Sequence, residues 1–216
     1  MFLIFDTETT GLPSNYNAPI TDTNNWPRMV QLAWQLHDEY GKLIEAQEYI
    51  VTPDGYDIPF NAVKIHGIST ERAQQEGRPL GEVLEIFNTA LAKATYAVGH
   101  NLTFDINIVG CEFYRANLLT PLQEKIVLDS CTEHTAALCQ LPGGKGGRFK
   151  LPTLTELYVH LFDEQFDEAH NAAFDVEATA RIFLELLRIG EFSAAQLQVD
   201  EAFVSSFQEH NPEPFK

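Results

Sequence analysis

The chain has 216 residues and carries 31 acidic against 14 basic side chains, a net charge of −17; its length fits one domain, or one domain with a small appendage. Its 44% apolar and 21% charged residues exclude disorder as the default. No run nears the roughly 18 apolar residues of a membrane span, Met1–Phe5 stops at Asp6 without the basic start of a signal peptide, and Cys111, Cys131 and Cys139 lack metal or disulfide spacing, so a reducing cytoplasm is expected.

Taken in chain order, Phe2–Phe5 is a continuous apolar run and predicts a central strand buried on both faces. A loop rich in Pro, Asn and Thr follows from Pro13 to Pro27. Met29–Leu36 alternates, with Val30, Leu32, Trp34 and Leu36 as the predicted core face. Residues 38–41 turn the chain into Leu43–Val51, which predicts a hairpin. The pattern becomes helical after Gly55, with Leu80, Val83, Leu84, Phe87 and Leu91 at spacings of three and four. Short strands are expected at Tyr96–Val98 and Ile126–Leu128. Helices are expected over Asp105–Ala116, Thr132–Cys139, Thr153–Leu161 and Ala172–Leu187, and residues 142–148 are too glycine-rich to be regular. This order predicts an α/β fold: a mixed sheet, antiparallel first and then parallel, flanked by helices.

Three short segments carry chemistry. Asp6 and Glu8 are two apart at the end of the first strand, so both carboxylates project together. Like charges there repel unless a cation lies between them, and Mg²⁺ or Mn²⁺ prefers such oxygen ligands; taken alone, the pair reads more simply as a solvent-facing turn. Asp105, in Gly99-His-Asn-Leu-Thr-Phe-Asp105, sits where a strand ends and a helix begins, as site residues and helix-start residues both do. His100-Asn101 could likewise be a simple turn. In His170-Asn-Ala-Ala-Phe-Asp175, an all-helical step of five residues leaves His170 and Asp175 about 140° apart. A shared site therefore wants His170 in the preceding loop, with Asn171 as helix cap and Asp175 in the first turn.

Together, Asp6-Thr-Glu-Thr-Thr-Gly11, His100-Asn-x-x-Phe-Asp105 and His170-x-Ala-x-x-Asp175 resemble, in order, the three motifs of the DEDDh (DnaQ-like) exonucleases. Within that family the epsilon-type proofreading sequences resemble the chain most, over Phe2 to about Arg188. The resemblance implies an RNase H-like fold over residues 1–188 and 3′→5′ hydrolysis of phosphodiesters with two divalent ions, Mg²⁺ or Mn²⁺. It implies Asp6, Glu8, Asp105 and Asp175 as metal ligands and His170 as general base. A chain this acidic is repelled by phosphate polyanions, and cations bridging these carboxylates to the substrate would overcome that.

The resemblance also implies substrate contacts at Thr9 and Thr10, at Asn101 and Phe104, and at His66 of Ile65-His-Gly-Ile68. Asn61 stands where epsilon-type sequences carry Glu, and Gln31 where they commonly carry Glu. Tyr16 and Trp26, in a long 13–27 loop, could cover the site and stack a base or simply pack locally. Lys145, Arg148 and Lys150 form the densest basic cluster, either a clamp on substrate phosphates or a solvated loop. Residues 189–216 form a tail in which Ser193-Ala-Ala-Gln196 reads as a capping box; it is expected to pack on its own domain or to meet a partner such as a polymerase subunit. The expected substrate is the 3′ end of single-stranded DNA. Thr9 after Glu8 leans that way, since oligoribonuclease-like sequences commonly carry Met there. An RNA-trimming relative and a non-catalytic nucleic-acid-binding adaptor are the alternatives.

Overall fold

The structure is a computed structural model that describes residues 1–165 and 172–215. One five-stranded sheet organises it, in the order β3-β2-β1-β4-β5. β1 (Phe2–Thr9), β2 (Met29–His37) and β3 (Leu43–Ile50) form the antiparallel part. β4 (Tyr96–Gly99) and β5 (Ile126–Asp129) run parallel to β1. The mixed sheet expected from the sequence is therefore present, with β1 at its centre.

Helices cover both faces. α1 (Phe60–His66) and α2 (Thr70–Glu76) follow β3. α3 (Leu80–Lys93) and α4 (Thr103–Arg115) share a core with Leu3, Phe5, Leu32 and Trp34 on one face. On the other face lie α6 (Leu154–Phe162), α7 (Ala172–Arg188), α8 (Ala194–Leu197) and α9 (Glu201–His210), which pack with Phe2, Ile4 and Ala33. α5 (Glu133–Cys139) follows β5. Among the described residues no helix is long and apolar enough to cross a membrane.

Two expectations are corrected. β1 does not end at Phe5: pairing with β2 continues it through Asp6↔Ala33 and Glu8↔Gln31, so the acidic residues stand on the strand itself. β2 has no solvent face: α7 covers the side bearing Gln31 and Ala33, each at most 1% exposed, while the irregularity opposite Glu8 and Thr9 turns Met29 into the α3–α4 core. The two glutamines gave that side the look of a polar face.

The loop from 13 to 27 is pinned to α4 rather than free to cover a site. Arg115 donates to the backbone carbonyls of Thr23 and Trp26 (2.6 Å each) and of Pro27, and also to Glu112. Glu112, fully buried, accepts from Arg28 and from the Met29 N–H. Trp26 is 2% exposed in the α3–α4 core, with its Nε1 donating to Pro19, so it does not stack a base; Tyr16 is exposed. In the tail, Ser193 and Gln196 form the expected capping box. Leu197 and Phe207 are buried beside α7, and Tyr96 Oη donates to the Leu197 carbonyl.

Candidate active site

The acidic residues meet at the C-terminal end of β1. Alternation along the strand puts Phe2, Ile4, Asp6 and Glu8 on the face that α7 covers, and Asp175 lies in the first turn of α7. One carboxylate oxygen from each of Asp6, Glu8 and Asp175 lies within 4.8 Å of the others. Burial pushes the Asp6 carboxyl well above the ordinary range, and the charges of Asp105, Asp175 and Glu8 push it further. Burial and the charges of Asp175 and Asp105 raise Glu8 to about 8.

Asp105 reaches the group from the opposite face, in the first turn of α4. Its Oδ1 accepts from the Thr7 N–H at 3.0 Å and from Thr7 Oγ1 at 2.6 Å. Burial raises Asp105 to about 7 against the lowering effect of those two bonds. At neutral pH this constellation must hold protons or a cation. Hard oxygen donors, crowded and mutually repelling, fit a divalent ion of the Mg²⁺ or Mn²⁺ type.

Thr7 and Asp129 are the participants that sequence reasoning missed. Thr7 points to the α4 face, where it holds Asp105. Asp129, the last residue of β5, accepts from the N–H groups of Asn101, Leu102 and Cys131, and so shapes the turn that delivers α4. An acid at the end of a parallel strand was the available signal. Asn101 adopts a left-handed conformation (φ 61°) with its side chain exposed, while His100 bridges Ser130 Oγ and the Pro152 carbonyl.

His66 closes α1, and its Nδ1 accepts from the Ile68 N–H, which leaves the neutral ring's proton on Nε2. Burial lowers its pKa, so it stays neutral. Nε2 is buried without a well-formed hydrogen bond, although the Thr9 backbone is close enough to favour the charged ring. The histidine therefore sits beside the end of β1, and Asn61, on the same helix, is exposed. Thr9 Oγ1 donates to the Gly11 carbonyl and Thr10 Oγ1 accepts from the Arg28 N–H, so both hydroxyls are engaged locally. Phe104 packs half-buried on the α3–α4 core.

Lys145, Arg148 and Lys150 lie apart from the three clustered carboxylates, lining a cleft of about 840 Å³ between α5 and the glycine loop. Arg148 pairs with Glu133, and Lys150 with Glu156 at 2.6 Å. These two cations reach a phosphate only by exchanging partners. His170 and Asn171 lie outside the described residues.

With this geometry in view, the comparisons with known proteins are consistent. An exonuclease family model named for RNase T matches residues 3–183. The 3′-5′ exonuclease DinG of Bacillus subtilis is 32% identical over 189 residues, 86% of this chain. A PolC-type DNA polymerase III of Lactococcus lactis is 31% identical over 191 residues, 87% of this chain. The chain spans only 17% and 10% of those two proteins. Among solved structures, Escherichia coli Exonuclease I in complex with a dA16 oligonucleotide superimposes with a TM-score of 0.64 at 22% identity, covering 91% of this chain and 42% of that one. Exonuclease X in complex with 5′ overhanging duplex DNA gives a TM-score of 0.59 at 20% identity, covering 94% and 99%. These two likenesses bear on the fold, and the family model bears on the lineage: the chain belongs to the DnaQ-like exonuclease family.

Proposed function

We propose that the protein is a divalent-metal-dependent 3′→5′ exonuclease that releases nucleoside monophosphates from single-stranded or frayed DNA ends. The observation that carries this reading is the convergence of Asp6, Glu8 and Asp175 within 4.8 Å at the end of β1, with Asp105 held beside them by Thr7. Two ions, Mg²⁺ or Mn²⁺, would be held by Asp6, Glu8 and Asp175, with Asp105 as a further ligand, directly or through water. Bound there, the ions would neutralise charge on the scissile phosphate and make water more acidic.

The chain's own groups supply the rest. His170, two residues before α7, takes the proton of the attacking water, a task suited to imidazole near neutral pH. His66, with Nε2–H as its donor, and the backbone at Thr9 and Thr10 receive the terminal nucleotide. Asn61 offers an uncharged hydrogen-bonding group on the same helix. The likeness to DinG, a 3′-5′ exonuclease, supports the direction of hydrolysis, and the dA16 oligonucleotide bound to Exonuclease I supports DNA as substrate. The PolC-type relatives support a place in proofreading or repair beside a polymerase.

The test is nucleotide release from oligomers labelled at either end, with and without EDTA. Single-stranded DNA, matched duplex and RNA are compared. A 3′ label should appear at once as mononucleotide, a 5′ label should give a descending ladder, and EDTA should stop both. Matched duplex should be slow, because unpairing the terminal base costs a few kcal/mol. His170→Ala should lose about 10²–10⁴ in rate, and Asp6→Ala or Asp175→Ala more. Near-normal turnover by either aspartate variant contradicts the site, and preferential cleavage of RNA contradicts the substrate.

A further inference from the structure

Gln31 lies directly opposite Glu8 in the β1–β2 ladder, on the face that α7 covers. Its side chain is 1% exposed, so both halves of the amide need partners. The carbonyl oxygen accepts from the N–H of Ala172, the first residue of α7, at 3.3 Å. The amide nitrogen donates to Glu48 Oε1 on β3. One side chain thus ties two strands to the start of the helix that carries Asp175.

The pairing has a direction. An ionised Glu48 can only accept, so it draws the NH₂ of Gln31 and turns the carbonyl towards α7. The first N–H groups of a helix have no partner within the helix, and Gln31 satisfies one of them. Ala172 is buried against β1 and β2, but towards β3 this end of α7 is not closely packed. A cleft of about 270 Å³, lined among others by Ala46, Glu48, Ala173 and Glu177, separates its first turns from β3. Asp175 is three residues beyond the anchored N–H.

We infer that Gln31 is a positioning residue for the metal-binding carboxylates, holding the first turn of α7 in register with Asp6 and Glu8, and that Glu48 acts through it by fixing the amide's orientation. A neutral amide does this opposite Glu8 without adding another negative charge to the cluster. The inference rests on the reading of Asp6, Glu8 and Asp175 as a metal site.

The experiment is calorimetric titration of Mn²⁺ into the metal-free full chain and its variants, with amide exchange at Ala172 followed in parallel. Gln31→Met, close to isosteric, should raise the Mn²⁺ Kd by about 10–100-fold, the scale for removing a group that orients a ligand. Exchange at Ala172 should quicken about tenfold or more. Glu48 is exposed, so Glu48→Ala keeps the fold and should weaken Mn²⁺ several-fold. In the double variant, Glu48→Ala should add nothing to Gln31→Met, because the second group works through the first. Wild-type Mn²⁺ affinity in Gln31→Met, or full additivity of the pair, would overturn the positioning role while leaving the site intact. Failure of the wild-type chain to bind Mn²⁺ would overturn the site and this inference with it.

Discussion

Thr7 stands between two acids that the sequence singled out, yet its own role exists only once α4 has folded back onto β1. Its two hydrogen bonds to Asp105 favour the charged carboxylate. Thr7→Val keeps the shape and the backbone bond but removes the hydroxyl. The Asp105 pKa then rises, and activity that needs it ionised should appear only at higher pH. A hydrogen bond to a charged group contributes about 1.5–3 kcal/mol and one pH unit is about 1.4 kcal/mol. The acid limb of the rate profile should therefore move up by roughly one unit or more, and an unmoved limb would mean that the hydroxyl is irrelevant to ionisation. At this scale Asp6 and Glu8 were legible as a pair from their spacing on a strand, while Asp105 and Asp175 joined them only through the resemblance of the three motifs to the DEDDh exonucleases. Thr7 and Asp129 were not, since hydrogen bonds across 98 and 27–28 positions leave no local pattern.

Hydrophobic periodicity located the strands and most helices to within a few residues, since burial of one face is written in the spacing. It failed where burial was two-sided. Gln31 and Gln35 imitate a solvent face on β2, and only the position of α7 reveals that this side is covered. Tertiary anchoring of a loop was equally hidden: Trp26 looked available for stacking until Arg115 and Glu112 were seen to fasten the segment to α4. Arg115 is 14% exposed at its side chain and Glu112 fully buried. Arg115→Met should cost about 2–4 kcal/mol by leaving three carbonyls and part of a buried carboxylate unpaired, while Arg28 still partners Glu112. Chemical denaturation measures this directly; a loss below about 1 kcal/mol would show that the loop is held by Trp26 burial alone.

Across the whole molecule, a net charge of −17 and a crowd of half-buried carboxylates around the buried Asp105 make stability depend on what neutralises the site. In EDTA, the folded chain retains protons on Glu8 up to about 8 and on Asp105 up to about 7, with Asp6 also raised, while the unfolded chain releases them near the ordinary carboxylate range. At these groups the native state binds more protons than the unfolded state, so their contribution to stability falls as pH rises from about 4 towards 8, against the opposite and smaller pull of the buried His37, His66 and His100. Saturating Mn²⁺ should flatten that slope, because the cation replaces the protons. A metal-free chain that grows steadily more stable over this range would show that these groups are not crowded together in solution.

Thermal melting in EDTA and in millimolar Mn²⁺, for wild type and Asp175→Ala, tests the joint site most directly. An ion that binds the folded cluster and not the unfolded chain stabilises by about 2.7 kcal/mol at 100-fold above Kd. For a chain of this length that is a rise in Tm of roughly 5–10 °C, at about 2–4 °C per kcal/mol. The wild-type chain should show that rise. Asp175→Ala, relieved of one repelling charge, should melt no lower than wild type in EDTA and gain little from Mn²⁺. Equal shifts in the two proteins would place the ion elsewhere on the acidic surface and contradict the claim that Asp6, Glu8 and Asp175 form one metal site.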